Sequence, residues 1–224
     1  MKQLHELINT EEPGWLIVLD LFNNATNKVE VLTKDNGKAD AAIYNCQVTT
    51  RSPMGAIIYE TGGILVDNGW IRILGSGNEK IQRNLPEWNK GKSIAEYGQQ
   101  APYLLVADDV IGGFFAINGG EFGDDLGQLY YFAPDCLSWE PMEMGYSDFI
   151  RWTFNGNLEQ FYEGFRWENY KEELEKLNWN NVFGFYPFLH TEYDNINDLS
   201  RKPISIEEIW NLQLEMKKQY TTQK

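Results

Sequence analysis

Cysteine is nearly absent: Cys46 and Cys136 are the two in 224 residues, ninety positions apart and without CxxC spacing. That pattern gives no support to a disulfide framework or a cysteine-based zinc site, and both side chains are expected as buried free thiols. Histidine is as scarce. His5 and His190 fall in no HxxxH or HExxH frame, so a histidine metal centre has no ligand set and acid–base chemistry would fall to His190 alone. His190 follows Tyr186-Pro187-Phe188-Leu189 and reads as a hydrogen-bonded histidine at the edge of an aromatic loop. No apolar run approaches the roughly 18 residues of a membrane span, and Met1 to Ile8 is too polar for a signal peptide, so a cytoplasmic location is expected. Most telling is the absence of any lysine or arginine from residues 101 to 150, where nine acids stand unopposed.

What is present is an acidic, aromatic-rich chain with 8 Trp, 12 Tyr, 12 Phe and a net charge of −14. A chain of this length can bury roughly 70% of its unfolded surface in one fold, so no staple is needed. The charge disfavours nucleic acid and anionic membranes and favours a basic protein partner, although solubility alone also accounts for acidity.

The period of the apolar residues predicts an α+β fold: a single domain over 1–224, helical in 1–61, an antiparallel meander of about five strands in 62–134, and helical again in 135–220. Helices are expected on one face of the sheet. Thr10 ahead of Glu11-Glu12-Pro13 reads as a helix start leading into Trp15 to Phe22, a second helix is expected over Lys38 to Val48, and Ser52-Pro53 starts a third that Gly62-Gly63 stops. Ile64 to Asp67, Asn68-Gly69 and Trp70 to Leu74 form a hairpin around the residue pair of a type I′ turn. A loop is expected through Leu85 to Trp88, and a short helix where Ser93 and Glu96 make a capping box. Strands follow at Tyr103 to Ala107, Gly113 to Ile117 and Leu129 to Ala133. After Pro134 the reading is helical, with Ser147 as a cap, a break at Asn155-Gly156-Asn157, and a stripe of Trp167, Tyr170, Leu174 and Leu177. Asn180 to Ser200 reads as an aromatic loop. Ser205 with Glu208 starts a last helix striped by Ile209, Leu212, Met216 and Tyr220, and disorder is expected from Thr221 to Lys224.

No complete catalytic, metal or nucleotide motif occurs, so no cofactor is expected and binding is favoured over catalysis. Gly91-Lys92-Ser93 has the ending of a phosphate-binding loop, but position 86 is proline where that motif needs glycine. Carboxylates are the plentiful reactive groups. Asp108 and Asp109 stand at a strand end, and Glu121, Asp124 and Asp125 stand in a glycine-rich loop; such pairs could dock a basic partner, hold a hard cation or hydrolyse a glycosidic bond, but they are also ordinary turn chemistry. A second group, Arg51, Glu60, Asp67, Trp70 and Arg72, gathers around structural glycines. Strand alternation puts Trp70 and Arg72 opposite Ile71 and Ile73, so they form either an exposed aromatic–cation binding face or a second small core in which Arg72 neutralises Asp67.

Thr49-Thr50-Arg51-Ser52-Pro53, Tyr59 to Gly63, Asp67 to Gly77 and Ser200-Arg201-Lys202 resemble an uncharacterised bacterial family, domain of unknown function 2625. That resemblance spans nearly the whole chain and implies no activity. Gly112 to Ile117, Leu129 to Phe132 and Ser147 to Trp152 are similar to the SUKH (Smi/Knr-type) superfamily over about the central third. The SUKH resemblance implies an α+β binding domain, in many members an immunity protein that neutralises a toxin; the aromatic extension after Glu168 departs from the compact version. The expected function is therefore a non-catalytic, immunity-type binding module with an acidic docking surface around residues 108–148. A carboxylate-dependent hydrolase and a scaffold that binds through exposed aromatics are the alternatives.

Overall fold

The computed structural model describes residues 1–222. The first quarter is helical, with α1 (Leu4–Leu7), α2 (Trp15–Asn23), α3 (Asn36–Cys46) and α4 (Pro53–Glu60), but a short strand, β1 (Val29–Leu32), lies between α2 and α3. Ser52 caps α4 as expected, accepting the Gly55 amide at 3.0 Å with Pro53 in the first turn. Asp35 rather than a residue nearer Lys38 caps α3. Thr10 caps nothing, since α2 begins after Gly14.

The hairpin follows as β2 (Gly63–Val66) and β3 (Ile71–Leu74). Asn68 and Gly69 both have positive φ, and the Trp70 amide donates to the Asp67 carbonyl at 3.0 Å, closing the turn they span. Gly69 is doubly required: its φ is +82°, and an added Cβ would lie 2.2 Å from the Trp179 ring. The expected loop at Leu85 is instead a capped turn of helix, α5 (Leu85–Asn89), with Asn84 accepting the Glu87 amide. Ser93 starts no helix; its hydroxyl bonds to Asn89, whose amide also grips the Leu105 backbone from both sides.

Three expected strands appear as β4 (Tyr103–Asp109), β5 (Phe114–Asn118) and β6 (Gln128–Ala133), and β7 (Ser138–Gly145) extends the meander where helix was expected. Pro141 misled that reading. An edge strand tolerates proline because no ladder hydrogen bond is lost on its open side. The result is one seven-stranded antiparallel sheet in the order β1 to β7, not five strands, with β1 and β7 as the added edges.

The remainder is α6 (Tyr146–Asn155), α7 (Leu158–Phe161), α8 (Tyr170–Leu174), β8 (Asn181–Tyr186), a 3₁₀ turn at Ile196–Asp198, β9 (Ser200–Ser205) and α9 (Ile206–Thr222). The expected aromatic loop is therefore half of a two-stranded sheet, β8–β9. Ser205 receives the Glu208 amide at 3.1 Å as the capping pattern requires. Of the segment expected to be disordered, Thr221 and Thr222 continue α9, and Gln223 and Lys224 lie outside the described residues.

Helices cover both faces of the large sheet, not one. Phe114 and Phe115 are adjacent and point oppositely. Phe115 packs on Phe149 and Trp152 of α6, while Phe114 meets Trp88 of α5 and Trp210 of α9. With both faces covered, every residue of β2 and β3 is buried.

Candidate functional site

Double coverage decides where the anticipated site residues lie. The expectation that Trp70 and Arg72 form an exposed binding face is corrected: both are 0% exposed. Trp70 sits at the hairpin tip inside a second aromatic core, with the rings of Tyr162 and Tyr170 at 5.2 Å and Trp167 at 5.7 Å. Arg72 does not neutralise Asp67. That charge is met by Arg166, whose guanidinium donates to Asp67 at 2.5 Å and lies 5.0 Å from the centre of the Trp70 ring.

Arg72 and Asp108 are register partners on β3 and β4, so their side chains emerge side by side on the Phe114 face. The Arg72 guanidinium lies 2.5 Å from Asp108 and donates to the backbone carbonyls of Asn181 and Asp109. Arg83 takes the other oxygen of Asp108 at 2.5 Å. One buried carboxylate thus serves two guanidiniums, and Arg72 ties the large sheet to β8. Burial and the neighbouring Arg83 pull the Arg72 pKa down, and Asp108 opposes them.

Asp109 turns to the other side. Its carboxylate accepts hydroxyls from Tyr131 at 2.7 Å and Tyr162 at 3.1 Å, and the amides of Ile111 at 3.1 Å and Gly113 at 2.7 Å. Burial pushes its pKa up to about 6 despite those four donors. Burial drives both tyrosine pKa values well above the usual range, with the Asp109 charge adding to it. Gly113 makes the arrangement possible, since a Cβ there would stand 2.3 Å from the Tyr131 hydroxyl and 2.4 Å from the carboxylate.

The acids of the glycine-rich loop are arranged for solvent. Asn118, 1% exposed, accepts the amides of Gly120 and Phe122 and donates to the Gly123 carbonyl and to Asp125. Tyr130 donates a second bond to Asp125 at 2.9 Å, and Phe122 packs against Trp139 of β7. Held this way, the loop presents Glu121, Asp124 and Asp125 outward around Leu126, which is 64% exposed. Exposed Glu140 and Glu143 on β7 extend the acidic rim.

The other anticipated residues are scattered. Arg51 is exposed and paired with Glu12, and Glu60 meets Lys34 at 3.4 Å. The structure therefore joins Arg72 to Asp108, collects Glu121, Asp124 and Asp125, and leaves Arg51 and Glu60 apart. Cys136 is exposed, contrary to expectation, and Cys46 is half-buried with its thiol pKa pushed up to about 12 by desolvation. His190 stacks on Phe188 and meets Tyr220 edge-on. Reading the sequence missed Arg83, Tyr131, Tyr162 and Arg166. The signal for Tyr131 was its place on a strand in register with Phe115, but a hydroxyl partner two strands away leaves no local mark.

Among the described residues, no group of three or more His, Cys, Asp or Glu side chains is placed to hold a metal ion, and no helix is long and apolar enough to cross a membrane. Three sizeable cavities are lined by residues other than Asp108 and Asp109: about 460 Å³ beside β1, about 380 Å³ at Arg83 and Trp88, and about 460 Å³ between β8–β9 and α9.

Comparison with known proteins bears on the whole of this arrangement, because the family described as "Protein of unknown function DUF2625" matches residues 4–209. The chain belongs to that family. Within it, the chain is similar to the uncharacterized protein YbfG of Escherichia coli K12, 43% identical over 221 residues covering 99% of this chain and 100% of the relative. An uncharacterized Haemophilus influenzae protein is 42% identical over 208 residues, 92% of this chain and 91% of its own length. The family match takes in the hairpin, both buried aspartates and the acidic loop, and ends within α9.

Proposed function

We propose that the protein is a non-catalytic binding module, of the toxin-neutralising immunity kind that the SUKH resemblance implies, which docks a basic protein partner on the acidic loop and the adjoining strand β7. One observation carries the reading. The loop after β5 is held rigid by Asn118 and Tyr130 while its acids face solvent around an exposed leucine, with no base in residues 101–150 to neutralise them. A fixed loop loses little entropy on docking, and an apolar contact ringed by one sign of charge suits a partner of the opposite sign. The hydrolase alternative has less support, because Asp108 is occupied by two guanidiniums and Asp109 is enclosed by its donors. The scaffold alternative loses its anchor with the burial of Trp70.

The test is affinity capture on the purified protein and on a Glu121→Lys, Asp124→Lys, Glu140→Lys variant at low and high salt. The expected result is a basic protein that binds the unaltered surface, weakens as salt rises, and is lost on charge reversal, since exposed charges are screened over about 8 Å at physiological ionic strength. Binding indifferent both to salt and to charge reversal refutes the reading.

A further inference from the structure

The stretch from Glu79 to Lys92 holds four bases and two acids, a locally basic segment in a chain of net charge −14. Two of its cations, Arg83 and Lys92, meet on one wall of the cavity of about 380 Å³ between α5 and the start of α9. We propose that this cavity, formed with Gln82, Trp88, Asn180 and Glu207, binds a small molecule through an oxyanion head group, a phosphate or a carboxylate, anchored by Arg83 and Lys92.

The argument begins with charge inside the fold. On the Phe114 face two guanidiniums share the single carboxylate of Asp108, while Asp109 is turned to the opposite side. Arg72 is wholly enclosed, whereas Arg83 is 11% exposed and is the member that reaches the cavity. The second terminal nitrogen of Arg83 makes longer contacts, 3.4 Å to Asp108 and 3.3 Å to the Trp179 carbonyl, and the buried Nε has no protein partner. A largely buried cation with surplus donors is stabilised by an anion placed against it.

The second cation is set on the same floor. Lys92 Nζ lies 4.0 Å from the Trp88 ring centre and the Arg83 guanidinium 5.0 Å, and the ring stacks on Phe114 behind it. Lys92 is covered by a single bond of 2.9 Å to Glu207, a side chain more than half exposed. Lys92 itself is 10% exposed, so Glu207 is the mobile member of the pair and an incoming anion can take its place. Glu87 also stands on the rim and disfavours ligands with a second negatively charged end. The volume falls in the range of about 300–1,000 Å³ typical of small-molecule sites. This is not a phosphate-binding loop: Ser93 is occupied by Asn89, and Lys92 acts from a turn after α5, not from the start of a helix.

Isothermal titration at low ionic strength, with inorganic phosphate and separately with acetate, tests the proposal, and the anion that binds identifies the head group. Saturable binding of one of them is expected. Glu207→Gln, an exposed change compatible with folding, tightens it by up to about fivefold by removing the competing carboxylate. Lys92→Met weakens it about tenfold or more, and Arg83→Lys, which keeps the charge but loses the fork, weakens it several-fold. Absence of binding by both anions overturns the proposal, as does an affinity that Glu207→Gln and Lys92→Met leave unchanged.

Discussion

Asp108 and Asp109 are neighbours in the chain and both are fully buried, yet β4 sends them to opposite faces of the sheet, where they are accommodated in different ways. Asp108 is met by opposite charge, from Arg72 in the strand beside it and Arg83 in the following loop. The Asp109 carboxylate is bonded by neutral donors: two tyrosine hydroxyls and two amides. Burial without a salt-bridge partner raises the Asp109 pKa to about 6, and its hydrogen-bond donors offset that rise only in part. The first site is built to hold layers together, and the second responds to pH.

The sharpest way to break this contrast is Asp108→Asn, which strands two buried guanidiniums. The expected loss is about 3–5 kcal/mol in urea unfolding, and a loss below about 1 kcal/mol would mean that the charges do not join the layers. Next comes the pH response of Asp109. Its folded pKa is raised from 3.8 to about 6, so the unfolded chain gives up this proton first as pH rises. The group's stabilising contribution is complete below about pH 4 and is lost as pH climbs through 6, a change of about 3 kcal/mol. Measured from pH 4 to 7, the stability of the native protein relative to Asp109→Asn should fall by that order; a constant difference would mean that burial does not raise the Asp109 pKa. Tyr162→Phe removes one donor and should cost about 1–3 kcal/mol, more at pH 8 than at pH 5 because the bond is stronger to the ionised carboxylate. The smallest effect is expected outside both sites: Glu121→Gln with Asp124→Asn should change stability by less than about 0.5 kcal/mol, since these acids face water.

Local chemistry made some of the fold legible from sequence. The Asn68-Gly69 turn, the Ser52-Pro53 start of α4 and the Ser205–Glu208 cap all depend on residues within a few positions of one another, and all are present. The edges were harder. β1 is four residues with two charged or polar neighbours at its ends, β7 contains a proline, and β8 and β9 exist through pairing with each other. Face assignment was hardest of all. Alternation placed Trp70 and Arg72 on the same side, but whether they are wet depends on later sequence: Tyr162, Trp167 and Tyr170 enclose Trp70, and β8, read as loop, covers Arg72. For the same reason an Asp-Asp pair at a strand end read as exposed. Nothing local marks the Arg72–Asp108 register, whereas the outward acids of the loop after β5 were legible because solvated turns obey local rules.

The placement of α9 has a consequence for biosynthesis. Trp210 closes over Phe114, and the same helix brings Lys217 over Phe132, so a segment made long after the strands it covers supplies part of the lid of one sheet face. Until that helix leaves the ribosome, those phenylalanines remain open to water and to other nascent chains. Premature termination just before Ile206 would therefore yield a sticky product that cellular quality control must clear, not a smaller working version of the protein.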